Sequence, residues 1–200
     1  MSIYELKPTF QHFLRPLART LARLGITANQ VTLTAVFLSI ATGIALLYWQ
    51  GNETLFLLIP FILLVRMALN ALDGMLAREH AMKSQLGAIL NEMGDVISDI
   101  VLYVPFACLG IFRPTVVLGT VILAILTEMA GVIAIQIGAS RRFDGPMGKS
   151  DRACVFSIIA LLIAFKVPIT AYGDVIFGLL MALLSLTIIN RLAKALREVS

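Results

Sequence analysis

The sequence predicts an all-α polytopic membrane protein, with six transmembrane helices preceded by an amphipathic interfacial helix. Three observations predict it. Of the 200 residues, 59% are hydrophobic and 14% charged, with a mean hydropathy of +0.92, too apolar for a water-solvated globule. Apolar runs near the ~20 residues that cross a bilayer recur six times. Lys and Arg are sorted by side, thirteen on one face of the membrane, Arg113 and Lys166 on the other, and Arg66 inside a span. That asymmetry puts both termini in the cytoplasm, as an even number of spans requires. It also accounts for a pI near 9.3 without nucleic acid, because the cations are not gathered with aromatics on a soluble face.

Residues 1–26 read as a juxtamembrane unit. From Glu5 to Leu24, the apolar residues Phe10, Phe13, Leu14, Leu17, Leu21 and Leu24 recur at helical spacing. Arg15, Arg19 and Arg23 follow a stride of four on another face, the pattern of a basic helix in the headgroup region or of a solvated helix that only marks topology. These cations interrupt every candidate signal-peptide core. Residues 27–200 form the membrane domain, opened by Thr27 as a helix cap. Its spans are about Val31 to Trp49, Leu55 to Arg78, Leu86 to Phe112, Thr115 to Gly138, Ala153 to Thr170 and Val175 to Leu192. Tyr48 and Trp49 anchor the first span before a turn at Gly51 to Thr54. Cys108 and Cys154 lack metal-ligand spacing and read as small packing residues, and Gly94 and Gly131 as points of close helix approach.

Polar residues concentrate between Asn70 and Asp99. Asn70 and Asp73 project from one helical face, and Asn91, Asp95 and Asp99, at steps of four, form a second stripe. Two helices joined near Ser84 turn these stripes together, and converging oxygen ligands suit a hard divalent cation and its phosphate ligands. Gly74 and Gly87 leave bare helix surface for a bulky ligand, and Arg78 offers a fork for phosphate oxygens. Asp73 lies 18 residues past Leu55 and Asp95 17 before Phe112, so both sit ~26 to 27 Å along their spans, near the cytoplasmic edge. Arg66, one turn before Asn70, is expected to pair with Asp99 or Glu128. In Ser140 to Ala153, the cations Arg141, Arg142, Lys149 and Arg152 gather, and the turn glycines put Lys149 and Arg152 at the start of a helix, where an anion is favoured.

The spacing D-G-x-x-A-R, eight residues, then G-x-x-x-N-x-x-x-D resembles the signature of the CDP-alcohol phosphatidyltransferases, D-x-x-D-G-x-x-A-R…G-x-x-x-D-x-x-x-D. It is most similar to the bacterial branch with N-A-L-D-G. Asp73, Gly74, Ala77, Arg78, Gly87 and Asp95 match, while Asn70 and Asn91 stand at the first and third aspartate positions. The resemblance implies an acceptor hydroxyl attacking the β-phosphorus of a CDP-linked lipid such as CDP-diacylglycerol, with release of CMP. It assigns Asp95 as general base and Asn70, Asp73, Asn91 and Asp95 as ligands of a divalent metal, Mg²⁺ or else Mn²⁺. Asp73, Gly74, Ala77, Arg78 and Gly87 are expected at the donor, and Lys149 and Arg152 at the acceptor. Thr27-Ala28-Asn29 resembles the T-P-N segment near the nucleotide pocket.

The resemblance further implies a homodimer in a bacterial inner membrane, with the site facing the cytoplasm. The two asparagines leave the site two formal negative charges below the pattern, which leaves open one metal or two. Other classes are a non-catalytic lipid-nucleotide binding protein with a decayed metal site and a small membrane carrier, although a carrier has no need of this spacing. Glycerol 3-phosphate, an inositol phosphate and a neutral alcohol all stand as acceptors.

Overall fold

Seven α-helices and no strand form among the described residues, 7–49 and 52–200, of the computed structural model. The predicted helix start at Glu5 and the turn residue Gly51 lie outside them. Helix α1 spans Lys7–Arg23 and α2 spans Ala28–Tyr48. Thr27 and Gln30 form a capping box at the start of α2, each accepting the other's backbone N–H, at 3.3 and 2.9 Å. A 3-10 turn, Glu53–Leu57, leads into α3, Leu58–Glu79. Helix α4 covers Gln85–Tyr103, α5 Pro114–Ile133, α6 Lys149–Ala164 and α7 Gly173–Val199.

Two predicted spans need correction. The span from Leu86 to Phe112 is α4 followed by a 3-10 turn, Val104–Cys108, because Pro105 has no N–H to give the Val101 carbonyl. The span from Ala153 to Thr170 is α6, which begins four residues earlier and ends at Ala164. Asp151 Oδ2 accepts the Gly148 N–H at 3.0 Å and starts the helix there. At its other end Lys166 adopts a φ of 56°, and Pro168 follows. Among the described residues four segments are long and apolar enough to cross a bilayer: Ala28–Tyr48, Glu53–Glu79, Pro114–Ile137 and Thr170–Val199. Helix α4 carries Glu92, Asp95 and Asp99, and α6 has 16 residues, about 24 Å of helix.

Helix α2 packs on α3 and α4, α5 on α7, and α6 on α3. At Gly94 a β-carbon would lie 2.8 Å from Val36, so this glycine lets α2 and α4 close as expected. Gly131 serves a loop instead: a β-carbon there would meet the Arg142 carbonyl at 2.7 Å. Cys108 and Cys154 are exposed and contribute little to the core. An aromatic cluster fills the half of the bundle away from the α3–α4 turn. Tyr103 stacks on Phe156 with centroids 3.8 Å apart, and Phe106 meets Phe156 edge-on at 5.2 Å.

Between this cluster and the α3–α4 turn lies a buried ionic layer. Asp99 accepts from Arg66 Nη1 at 2.6 Å and from Arg152 Nη2 at 2.8 Å. Arg152 Nη2 also donates to Glu128 Oε1 at 2.8 Å, and Arg152 Nη1 to Thr127 Oγ1 at 3.0 Å. Arg191 from α7 lies 3.7 Å from Glu128 and donates to the Thr127 carbonyl. Helices α3 to α7 are thus joined through charges that water does not reach. Removing one partner leaves uncompensated buried charge, so Arg152→Leu is expected to cost about 3 to 5 kcal/mol. Arg15→Ala, at the exposed Arg15–Glu79 pair, is expected to cost under about 1 kcal/mol. Thermal unfolding of the detergent-solubilised variants checks the contrast, and equal shifts would contradict it.

Candidate active site

The α3–α4 turn brings the two polar stripes face to face. Ser84 caps α4, its Oγ accepting the Gly87 N–H at 2.9 Å, and Ala81 makes the reversal with a φ of 55°. Across the seam each asparagine reaches the carboxylate of the opposite helix. Asn70 Nδ2 donates to Asp95 Oδ1 at 3.0 Å, and Asn91 Nδ2 lies 3.4 Å from Asp73 Oδ2. The four residues expected to hold a metal therefore do converge.

Three further side chains complete the group. Thr32 of α2 donates its hydroxyl to Asp73 Oδ2 at 2.7 Å, a contact no motif announced; an inward hydroxyl in an apolar span was its only signal. Lys149, at the start of α6, donates to Asp95 Oδ1. From below, Arg66 Nη2 donates to the Asp95 carbonyl at 2.9 Å and approaches Asp95 Oδ1 at 3.4 Å, while its Nη1 holds Asp99. The expected Arg66–Asp99 pairing is present, and Glu128 pairs with Arg152 instead. Asp95 retains 13% side-chain exposure and Lys149 29%, so the group opens to one side.

The bare helix surfaces are occupied from within the chain. Arg78 folds back over Gly74, where a β-carbon would lie 3.2 Å from Nη1, so Gly74 makes room for the guanidinium. Arg78 is exposed. At Gly87 the space belongs to Asn29, whose Oδ1 would be 2.7 Å from a β-carbon, which corrects the reading of an open surface there. The T-A-N segment is thereby seated beside the α3–α4 turn. Ala77 packs into the small apolar cluster of α1, α2 and α3 that contains Ala18, Val31, Leu72 and Leu76.

Lys149 and Arg152 part company. Lys149 points into the group, whereas Arg152 is 2% exposed and gives its donors to Asp99, Glu128 and Thr127. Both stand in the first turn of α6, and the split is one of depth: Lys149, the first residue, reaches Asp95, and Arg152, three residues further in, reaches Asp99 and Glu128. The loop before them is clasped on several sides. Met147 N donates to Thr187 Oγ1 at 3.0 Å, Lys194 reaches Asp144 at 2.7 Å, and Arg142 reaches Glu198 at 2.6 Å. Burial would raise the Asp144 carboxyl, but hydrogen bonds from Lys194 and Arg142 outweigh it and hold the group below its ordinary value. Burial likewise opposes charge on Arg141, yet Glu92, bonded at 2.6 Å, with Glu128 behind it, holds the guanidinium above its usual value. Arg141, Arg152 and Arg191, which the sequence offers as topology markers, are structural cations.

The donor set for a metal is all oxygen, two carboxylates and two carboxamides. Such a set fits a hard dication with several positions left to water or phosphate. Among the described residues no group of three or more His, Cys, Asp or Glu side chains is placed to share an ion.

The model of the CDP-alcohol phosphatidyltransferase family matches residues 25–190. Over 191 residues, 96% of this chain and 94% of the relative, the sequence is 46% identical to inner membrane protein YnbA of Escherichia coli K12. It is 28% identical to the archaetidylinositol phosphate synthase of Pyrococcus horikoshii, over 82% of this chain and 85% of that one. The fold is that of the Mycobacterium tuberculosis phosphatidylinositol phosphate synthase PgsA1 with CDP-DAG bound, at TM-score 0.71 and 23% identity, covering 90% of this chain and 92% of that one. A second structure of that protein, in complex with manganese and citrate, aligns at TM-score 0.71 and 22% identity, covering 90% and 88%. With its signature residues assembled across the α3–α4 seam and the family model spanning most of its length, this chain belongs to the CDP-alcohol phosphatidyltransferases.

Proposed function

We propose that the chain transfers a phosphatidyl group from a CDP-linked lipid such as CDP-diacylglycerol to the hydroxyl of a small acceptor, releasing CMP. The observation that carries this is the α3–α4 seam, where Asp95 meets Asn70 and Asp73 meets Asn91 across the two helices, with the exposed Arg78 on α3 and the Lys149 ammonium on Asp95. Arg78 binds the donor diphosphate, and Asn29 lies toward the nucleotide. Asp95 takes the proton from the acceptor hydroxyl as its oxygen attacks the β-phosphorus, and the bond from that phosphorus to CMP breaks. Lys149 binds the acceptor, with a phosphorylated or hydroxyl-rich molecule favoured by its charge, and Arg152 positions Lys149 from below. A divalent cation, Mg²⁺ or Mn²⁺, held at Asp73 with the amide oxygens of Asn70 and Asn91 would neutralise charge on the diphosphate.

Helices α4 and α6 complete a six-span bundle in this reading. Their charges turn inward, Asp99 and Arg152 being buried, while Ile89, Met93 and Ile97 of α4 and Ile158 of α6 face outward. Helix α1 lies in the interface. Its Ala18 packs on α3, and Phe13 and Leu17 remain exposed for lipid. The excess of cations at the α3–α4 end supports a site and termini that face the cytoplasm of a bacterial inner membrane, and the chain works as a homodimer in this reading.

The test is CMP release from CDP-diacylglycerol by the full chain in nanodiscs, against glycerol 3-phosphate, an inositol phosphate, serine and glycerol. Asp95→Asn preserves size and removes the base, so turnover is expected to fall roughly 10²- to 10⁴-fold while the nucleotide still binds. Substantial residual turnover at saturating acceptor would refute the base assignment. Arg78→Lys replaces a fork with a point charge and is expected to weaken donor binding about tenfold, read as a higher KM for the CDP-lipid. An unchanged KM would count against donor contact.

A further inference from the structure

The buried carboxylates of this chain are not treated alike. Asp99 has Arg66 and Arg152 within 2.8 Å, and Glu128 has Arg152 at 2.8 Å and Arg141 at 3.2 Å. Asp73 is as buried, at 4% exposure, but its neighbours are neutral: the Thr32 hydroxyl at 2.7 Å and the Asn91 amide at 3.4 Å, both on Oδ2. Among the described residues no cation lies within salt-bridge distance of it. A buried carboxylate met only by neutral donors is short of positive charge, and a bound cation would supply it.

Asp95 is the reverse case. Its Oδ1 receives Lys149 Nζ, Asn70 Nδ2 and Arg66 Nη2, so two cations already attend one carboxylate. The positions facing Asp73 and Asp95, which would supply charge for more ions, are amides at Asn70 and Asn91. Two dications would bring four positive charges to two carboxylates, one of which already carries a lysine.

We propose that the site takes a single divalent cation, anchored on Asp73, and that Lys149 supplies at Asp95 the charge a second ion would bring. The inference rests on the metal-dependent transfer reading above and adds the number of ions and the residue that replaces one. Lys149 and Arg66 then keep Asp95 free of metal, with Oδ2 clear of the donors on Oδ1 and open to the acceptor proton. Asn70 follows from the same logic. A carboxylate there would face Asp95 across the seam at the distance now spanned by an amide hydrogen bond, and it would draw in a second ion.

The experiment counts ions without relying on turnover. Full-length protein in nanodiscs is equilibrated with Mn²⁺, freed of excess, analysed for manganese per chain and examined by electron paramagnetic resonance. Wild type is expected to hold one ion with the six-line spectrum of isolated Mn²⁺. Asp73→Asn is expected to lose it while keeping the metal-free thermal midpoint. The triple variant Asn70→Asp, Asn91→Asp, Lys149→Met is expected to hold two ions with a spin-coupled spectrum. Two coupled ions in the wild type, or none, would overturn the proposal, as would a folded triple variant that still holds one. CMP release on the same samples separates the two readings. Release with two ions overturns the ion count alone, and one ion without release in any acceptor overturns the transfer reading alone.

Discussion

Asp99, buried between Arg66 and Arg152, is the interaction on which the rest of the site depends. One carboxylate with two arginines joins α3, α4 and α6, and through Arg152 and Glu128 the join extends to α5 and α7. Such a layer costs a great deal in desolvation and repays it only when every hydrogen bond is made. Here the same atoms that complete it also place the chemistry. The second nitrogen of the Arg66 fork holds the carbonyl and carboxylate of Asp95 one turn above, and Arg152 fixes the first turn of α6, from which Lys149 reaches in. A lysine in place of either arginine offers no second arm in a fixed plane.

Above that layer the seam is built from neutral bridges. Each asparagine spans to the opposite helix, so the two carboxylates are held without like-charge repulsion between facing acids. The glycines serve the chain before they serve a ligand. Gly74 houses the Arg78 guanidinium and Gly87 houses Asn29, so both make room for a polar group of this protein. Small residues in a membrane bundle let polar groups approach as readily as they let helices pack.

Much of this was legible in the sequence. Periodicity and apolar length show the helices, and the spacing from Asn70 to Asp95 shows which side chains share a seam, because helical phase is fixed within one element. What was not legible turns on direction and on contacts between distant elements. Arg152 and Lys149 stand three residues apart in one basic loop, yet one is buried in the ionic layer and the other reaches the seam. Composition cannot tell them apart, because both have long stems that run either way. Arg191 and Arg141 count as cations on the cytoplasmic side until α7 and the loop before α6 are seen to close on Glu128. Pro105 signals the end of α4, but an apolar run continuing through it hides the break from hydropathy alone.

The central claim is that an acceptor oxygen replaces CMP on the β-phosphorus of a CDP-lipid in this seam. Phosphorus NMR of the nanodisc-held protein, supplied with CDP-diacylglycerol and the acceptor most active in the panel, tests it most directly. One CMP and one new phosphodiester lipid are predicted for each donor consumed. Phosphatidic acid appearing with the CMP, which would make water the nucleophile, or a donor that persists unconsumed with every acceptor, would contradict the account.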